Sequence, residues 1–123
     1  MAAGIAMLKS TGSAGFYTSL KTKGEKFRML MKPLLEKYKG RLLFDSIESI
    51  FCFYFTDQEK INTVADVRSC NMKLFASFHG ALLKRGIYFS PSGYEVGFFS
   101  SAHSDDDIEK TATAVAESLE EIM

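Results

Sequence analysis

Ile47-Glu-Ser-Ile-Phe-Cys-Phe-Tyr-Phe55 decides the fold class. Its aromatic residues alternate. Phe51, Phe53 and Phe55 fall on one face of an extended chain, and Ile50, Cys52 and Tyr54 fall on the other. That is the period of two that marks a strand, not the 3.6 of a helix. Apolar residues on both faces predict a strand covered from both sides, and they make Cys52 a small core side chain rather than a reactive thiol. A second extended run, Arg41–Asp45, precedes it, and Val96-Gly-Phe-Phe99 reads as a further short strand.

Helical patterns flank these runs. Upstream, Phe16, Leu20, Phe27, Leu30, Met31, Leu34, Leu35 and Tyr38 recur every three or four residues, with lysines and Arg28 filling the other faces. Pro33 interrupts this pattern and predicts a kink or break near Lys32, because an interior proline costs about 3 kcal/mol. Gly40 is placed to stop the segment. Downstream, Thr56–Lys60 reads as a turn and Asn62–Cys70 as a polar connection. Asn71 caps a helix carrying Leu74, Phe75, Phe78, Ala81 and Leu82, with Gly86 as its stop. Ser104-Asp-Asp-Asp107 opens a closing helix whose stripe is Ile108, Ala112, Val115, Leu119 and Ile122. The first residues, Ala2–Leu8, read as a helical run without a capping residue. The order helix, strand, strand, helix, strand, helix gives an α/β two-layer sandwich with a small antiparallel or mixed sheet flanked by helices.

At 123 residues the chain makes one domain. Fifteen basic and fifteen acidic side chains leave no global positive field, which disfavours nucleic acid as a partner. Eleven Phe exclude disorder, and two Cys cannot form a disulfide framework, which suits a cytoplasmic setting. No segment reaches the ~18 apolar residues that span a bilayer. The charge is nevertheless uneven. Residues 1–41 hold nine Lys/Arg and two Glu, whereas residues 104–123 hold one Lys and seven Asp/Glu. Such blocks are either tails for a charged partner or helix faces that neutralise each other, and the apolar periodicity in both favours the second.

Motifs for chemistry are sparse. No phosphate-binding glycine loop or Cys-x-x-Cys is present, and His79 and His103 lack metal-ligand spacing to Cys52 or Cys70. Asp105–Asp107 lacks the glycine and distal Glu of a calcium loop, so helix capping accounts for it and no metal site is expected. Glu95 stands out by its context, after the turn-forming Ser90-Pro-Ser-Gly93 and before an apolar run. It is either a turn residue facing water or a carboxylate aimed into a cleft.

The stretch His79-Gly-Ala-Leu-Leu-Lys-Arg-Gly86-Ile-Tyr88-Phe-Ser-Pro91-Ser92-Gly-Tyr94-Glu95-Val-Gly97-Phe98-Phe-Ser100-Ser-Ala102-His103-Ser104-Asp-Asp-Asp107-Ile108 closely resembles the C-terminal region of the glutamate-1-semialdehyde 2,1-aminomutase family. These are pyridoxal-phosphate enzymes of the class-III aminotransferase group. Ser49-Ile50-Phe51-Cys-Phe-Tyr-Phe55-Thr56-Asp57 is similar to a strand of the same family, and Ala2–Leu8 to the helix that follows its cofactor-binding large domain. The resemblance runs over essentially the whole chain. Two positions depart from it: Glu48 stands where the family usually has Gly, and Pro33 lies in a helix the family leaves intact.

The resemblance implies that residues 1–123 are one C-terminal small domain of a fold-type I enzyme, with 1–12 the remnant of a helix leading from a missing large domain. The parent, expected to be a homodimer, would isomerise glutamate 1-semialdehyde to 5-aminolevulinate for tetrapyrrole synthesis. Its Schiff-base lysine and phosphate-binding groups would lie in the large domain, so the isolated chain is expected to bind no pyridoxal phosphate and to be inactive. By the same resemblance Glu95 points toward cofactor and substrate amine, with Ser92, Tyr94 and His103 supporting the loop. The plainer reading of His103 is that it only orders the turn before the last helix. Two alternatives stay open: a free-standing α/β interaction or regulatory module, and the small domain of another class-III aminotransferase.

Overall fold

The computed structural model describes residues 1–123. Eight elements follow in order: α1 (Ala2–Thr11), α2 (Phe16–Lys37), β1 (Leu43–Ile47), β2 (Ile50–Tyr54), α3 (Val64–Ser69), α4 (Met72–Lys84), β3 (Gly97–Phe98) and α5 (Asp105–Ile122). The three strands form one antiparallel sheet in the order β1-β2-β3. Phe44 faces Phe53 across the hairpin, which puts both rings on the side where α2, α4 and α5 pack.

Aromatic rings fill that layer. Phe27 of α2 lies 5.1 Å from Phe51 and 5.0 Å from Phe99, and Phe53 reaches Phe78 of α4 at 5.4 Å, all in tilted or edge-on geometries. Rings so arranged gain about 0.5–1.5 kcal/mol per pair beyond their buried area. Ile108, Val115 and Leu119 close the core from α5 and are fully buried.

The terminal signals read in the sequence hold. Asn71 accepts the Leu74 N–H at 2.9 Å, and Ser104 forms a reciprocal capping box with Asp107. Gly86, at φ 76°, lets the chain reverse after α4, with its N–H on the Leu83 carbonyl and that of Ile87 on Leu82. The charged blocks also meet as helix faces. Lys26 pairs with Glu109 at 2.7 Å and with Asp105 at 3.5 Å, and Lys37 pairs with Glu120 at 2.7 Å, joining α2 to α5.

Four expectations need correction. α2 runs unbroken through Pro33, whose exposed position leaves room for the ring and gives the freed carbonyl access to water. Residues 62–70 are not merely a connection: Thr63 and Asp66 form a capping box that starts α3. The strands are also offset from the runs read in the sequence. Ile47 closes β1, and the turn is the two-residue link Glu48-Ser49. Finally, the second side of β2 is covered only in part: Cys52 is buried there beneath the Glu95 loop, whereas Ile47, Ile50 and Phe98 form a row across all three strands, with Ile47 70% and Phe98 61% exposed.

The Glu48-Ser49 link explains the offset. Glu48 has φ 50°, a conformation that glycine adopts without cost and other residues rarely take. The turn sits on α2 at Gly24, where a Cβ would run into the Glu48 carbonyl. Ser49 in turn accepts the Phe99 N–H at 2.9 Å, tying the hairpin to the segment that follows β3.

Candidate functional site

The loop between α4 and β3 begins on a fixed base. Phe89 packs on Phe51 at 5.3 Å and on Phe53 at 6.1 Å, so the chain leaves the core at Ser90 with its backbone held. Pro91 then turns it outward. Gly93 lies against Met72 and Phe75, where a Cβ would meet the Met72 sulfur at 2.7 Å. A residue without a side chain is therefore what lets the loop lie flat on α4.

Within the loop the polar atoms satisfy one another. Ser92 N–H donates to Ser90 Oγ at 3.3 Å, Tyr94 N–H to Ser92 Oγ at 3.3 Å, and Glu95 N–H to the Ser92 carbonyl at 3.1 Å. The Ser90 hydroxyl donates to Glu95 Oε2. Beneath, the Cys52 thiol donates to the Glu95 carbonyl at 3.6 Å. Burial pushes that thiol up from its ordinary value, which makes it a structural donor rather than a nucleophile. Ser92, Tyr94 and Glu95 thus share one pinned loop. Glu95 and Tyr94 are exposed at its outer edge.

His103 belongs elsewhere. Its Nδ1 accepts the Ser100 N–H at 2.9 Å and lies 3.1 Å from Ser100 Oγ, while its ring meets Phe99 edge-on. These contacts fasten the turn before α5, with help from Lys23, whose ammonium donates to the Ser101 carbonyl at 2.9 Å. His103 lines a wide cleft of about 980 Å³ bounded by residues 85–90, β3 and α5. Glu95 borders a separate hollow of about 20 Å³ among Phe51, Cys52, Phe75 and Phe89. That volume holds little more than one water. Any ligand of Glu95 must therefore approach from outside the loop.

Sequence reasoning passed over Ser90 and the thiol contact of Cys52. A Ser-Pro-Ser turn reads as punctuation, and nothing in spacing alone shows a hydroxyl reaching five residues along the chain.

Could this chain hold pyridoxal phosphate by itself? A lysine that forms a Schiff base has to be deprotonated, which needs an apolar pocket. Here Lys26, Lys37 and Lys110 are shifted the other way, upward, chiefly through hydrogen bonds to Glu109, Glu120 and Asp106. None of these three lysines is therefore poised to form a Schiff base. No cluster of three or more His, Cys, Asp or Glu is placed to hold a metal ion, and no helix is long and apolar enough to cross a membrane.

The fold has counterparts among solved structures. It is the fold seen in solved structures of pyridoxal-phosphate transaminases. The FumI protein of Sphingopyxis sp. MTA144, solved in its PLP internal aldimine form, superposes with a TM-score of 0.74 at 20% identity, over 98% of this chain and 26% of that one. A β-phenylalanine aminotransferase from Variovorax paradoxus gives a TM-score of 0.74 at 23% identity, over 84% of this chain and 23% of that one. No protein-family model matches the chain.

The sequence narrows the class. Over 119 residues the chain is 37% identical to the glutamate-1-semialdehyde 2,1-aminomutase of Akkermansia muciniphila, a match covering 97% of this chain and 28% of that enzyme. The chain is therefore related to glutamate-1-semialdehyde 2,1-aminomutases and fits a C-terminal α/β domain of such an enzyme. It spans little more than a quarter of the relative's length.

Proposed function

We propose that this chain is the C-terminal small domain of a pyridoxal-phosphate-dependent aminomutase that converts glutamate 1-semialdehyde to 5-aminolevulinate in tetrapyrrole synthesis. The observation that carries this reading is the 37% identity over nearly the whole chain to an enzyme of that name. The Pro91-Ser92-Gly-Tyr94-Glu95 stretch contributes a pinned loop with a carboxylate at its rim. In this reading the loop is one wall of the active site. Glu95 holds the substrate ammonium group, Ser92 and Tyr94 shape the loop, and His103 orders the turn that leads into α5. The cofactor supplies the electron sink, and the groups that bind it lie outside these 123 residues.

The bare sheet row Ile47-Ile50-Phe98 and the exposed helix α1 are then the surfaces that meet the large domain, with residues 1–12 linking to it. The parent works as a cytoplasmic homodimer. The chain alone is inactive, because its lysines are solvent-facing or ion-paired.

A hybrid enzyme tests the proposal. The chain replaces the matching 119-residue segment of the Akkermansia enzyme, and conversion of glutamate 1-semialdehyde to 5-aminolevulinate is assayed. Retained conversion that falls by at least tenfold in the Glu95→Gln hybrid supports the reading, since a charge-assisted contact contributes about 1.5–3 kcal/mol. A folded, cofactor-loaded hybrid that transfers amino groups between other substrates but does not isomerise this one points to another class-III aminotransferase.

A further inference from the structure

We propose that Ser90 is a positioning residue for Glu95, its hydroxyl aiming the carboxylate that the reading above gives to the substrate ammonium group. This inference rests on that reading.

Three observations carry it. Ser90 is anchored: it follows Phe89, whose ring is packed among Phe51, Phe53 and Phe78. Its hydroxyl is already oriented, because Oγ accepts the Ser92 N–H at 3.3 Å and its proton is directed to Glu95 Oε2. Glu95, by contrast, stands exposed, and its main chain is fixed at both ends of the residue: its N–H on the Ser92 carbonyl and its carbonyl on the Cys52 thiol. What those anchors leave free is the side chain, with three torsions to restrict. The Ser90 hydroxyl removes that freedom. A glutamate held at one carboxylate oxygen keeps the other available for an ammonium donor, and the entropy of ordering it is already spent before a ligand arrives.

Two experiments together decide the matter. In the 123-residue chain labelled with ¹³C-glutamate, the Glu95 carboxyl resonance is identified by its loss in Glu95→Gln. Ser90→Ala is expected to move that resonance and give it the relaxation of a freely rotating side chain, while Ser90→Thr, which keeps a hydroxyl, leaves it near the original. An unmoved resonance in Ser90→Ala overturns the proposal.

In the hybrid enzyme, Ser90→Ala is expected to lower kcat/KM by about tenfold, chiefly by raising KM, with Ser90→Thr restoring most of it. A purely structural role reduces the yield of folded hybrid and leaves kcat/KM per folded enzyme intact, which overturns the proposal. So does a Ser90→Ala hybrid of full or raised activity in which Glu95→Gln is impaired: there the hydroxyl is idle or parks the carboxylate away from substrate. Where Glu95→Gln itself is harmless, the site reading fails first and takes the role of Ser90 with it.

Discussion

The backbone carbonyl of Glu48 rests on the α-carbon of Gly24, leaving no space for a methyl group between the hairpin turn and α2. Two unusual residues meet there, a glycine inside a helix and a glutamate with positive φ. Glycine in a helix interior costs about 1 kcal/mol against alanine. At this position the close approach of the turn outweighs that preference.

Gly24→Ala is therefore expected to destabilise the chain by about 2 kcal/mol or more, despite the higher helix propensity of alanine. The backbone of the turn is what must move, and it is tied to Phe99 through Ser49. Urea unfolding with an unchanged slope and a lower midpoint is the expected record. An equal or higher midpoint would sink the account of the contact.

Glu48→Gly is expected to act in the opposite sense. Relief of the positive φ stabilises by about 1 kcal/mol, less the greater freedom that glycine gains in the unfolded chain. Thermal melts of the two variants should bracket the parent chain, with the glycine variant above it.

Acid should loosen the chain through two helix starts. Asp107 and Asp66 are each held below the usual carboxylate value by backbone N–H donors, from Ser104 and from Asn62 and Thr63 respectively. The ionised form is the one the fold prefers. Its contribution is therefore complete above the unfolded value near 4 and is lost as pH falls through the lower folded values. Stability measured between pH 6 and pH 2 should drop, and Asp107→Asn should flatten that drop while lowering stability at neutral pH. A slope unchanged by the substitution would exclude the capping box as its source.

The row Ile47-Ile50-Phe98 predicts that the isolated chain binds apolar dyes and associates as its concentration rises. Ile47→Ser with Phe98→Ser should weaken both effects while the far-ultraviolet circular dichroism stays the same. A clean monomer at high concentration without dye binding would show that the row is too small to matter.

How much of this was legible beforehand depends on which signal carried it. The caps at Asn71 and Ser104 and the glycine stop at Gly86 are local chemistry, and they read correctly from single residues. The hairpin turn did not, because Glu-Ser carries no turn signature. Alternation in Phe51–Phe55 identified the strand. It could not show that the Ile50–Cys52–Tyr54 side is covered only in part, since apolar residues look alike whether they await a partner or already have one. Pro33 misled through a propensity that solvent exposure offsets. Of the site, Glu95 and its neighbours were marked by resemblance, whereas the hydroxyl that reaches Glu95 is a matter of loop conformation and leaves no periodic trace.

Helix α1 has a consequence for handling the chain. Every side chain from Met1 to Ser10 is exposed, and ten residues fall short of the roughly 12–15 that sustain a lone helix in water. It is expected to fray independently of the sheet. A protease acting at Lys9 in the native protein is expected to remove it and leave the remainder folded, because the first buried side chain, that of Phe27, lies well beyond the cut.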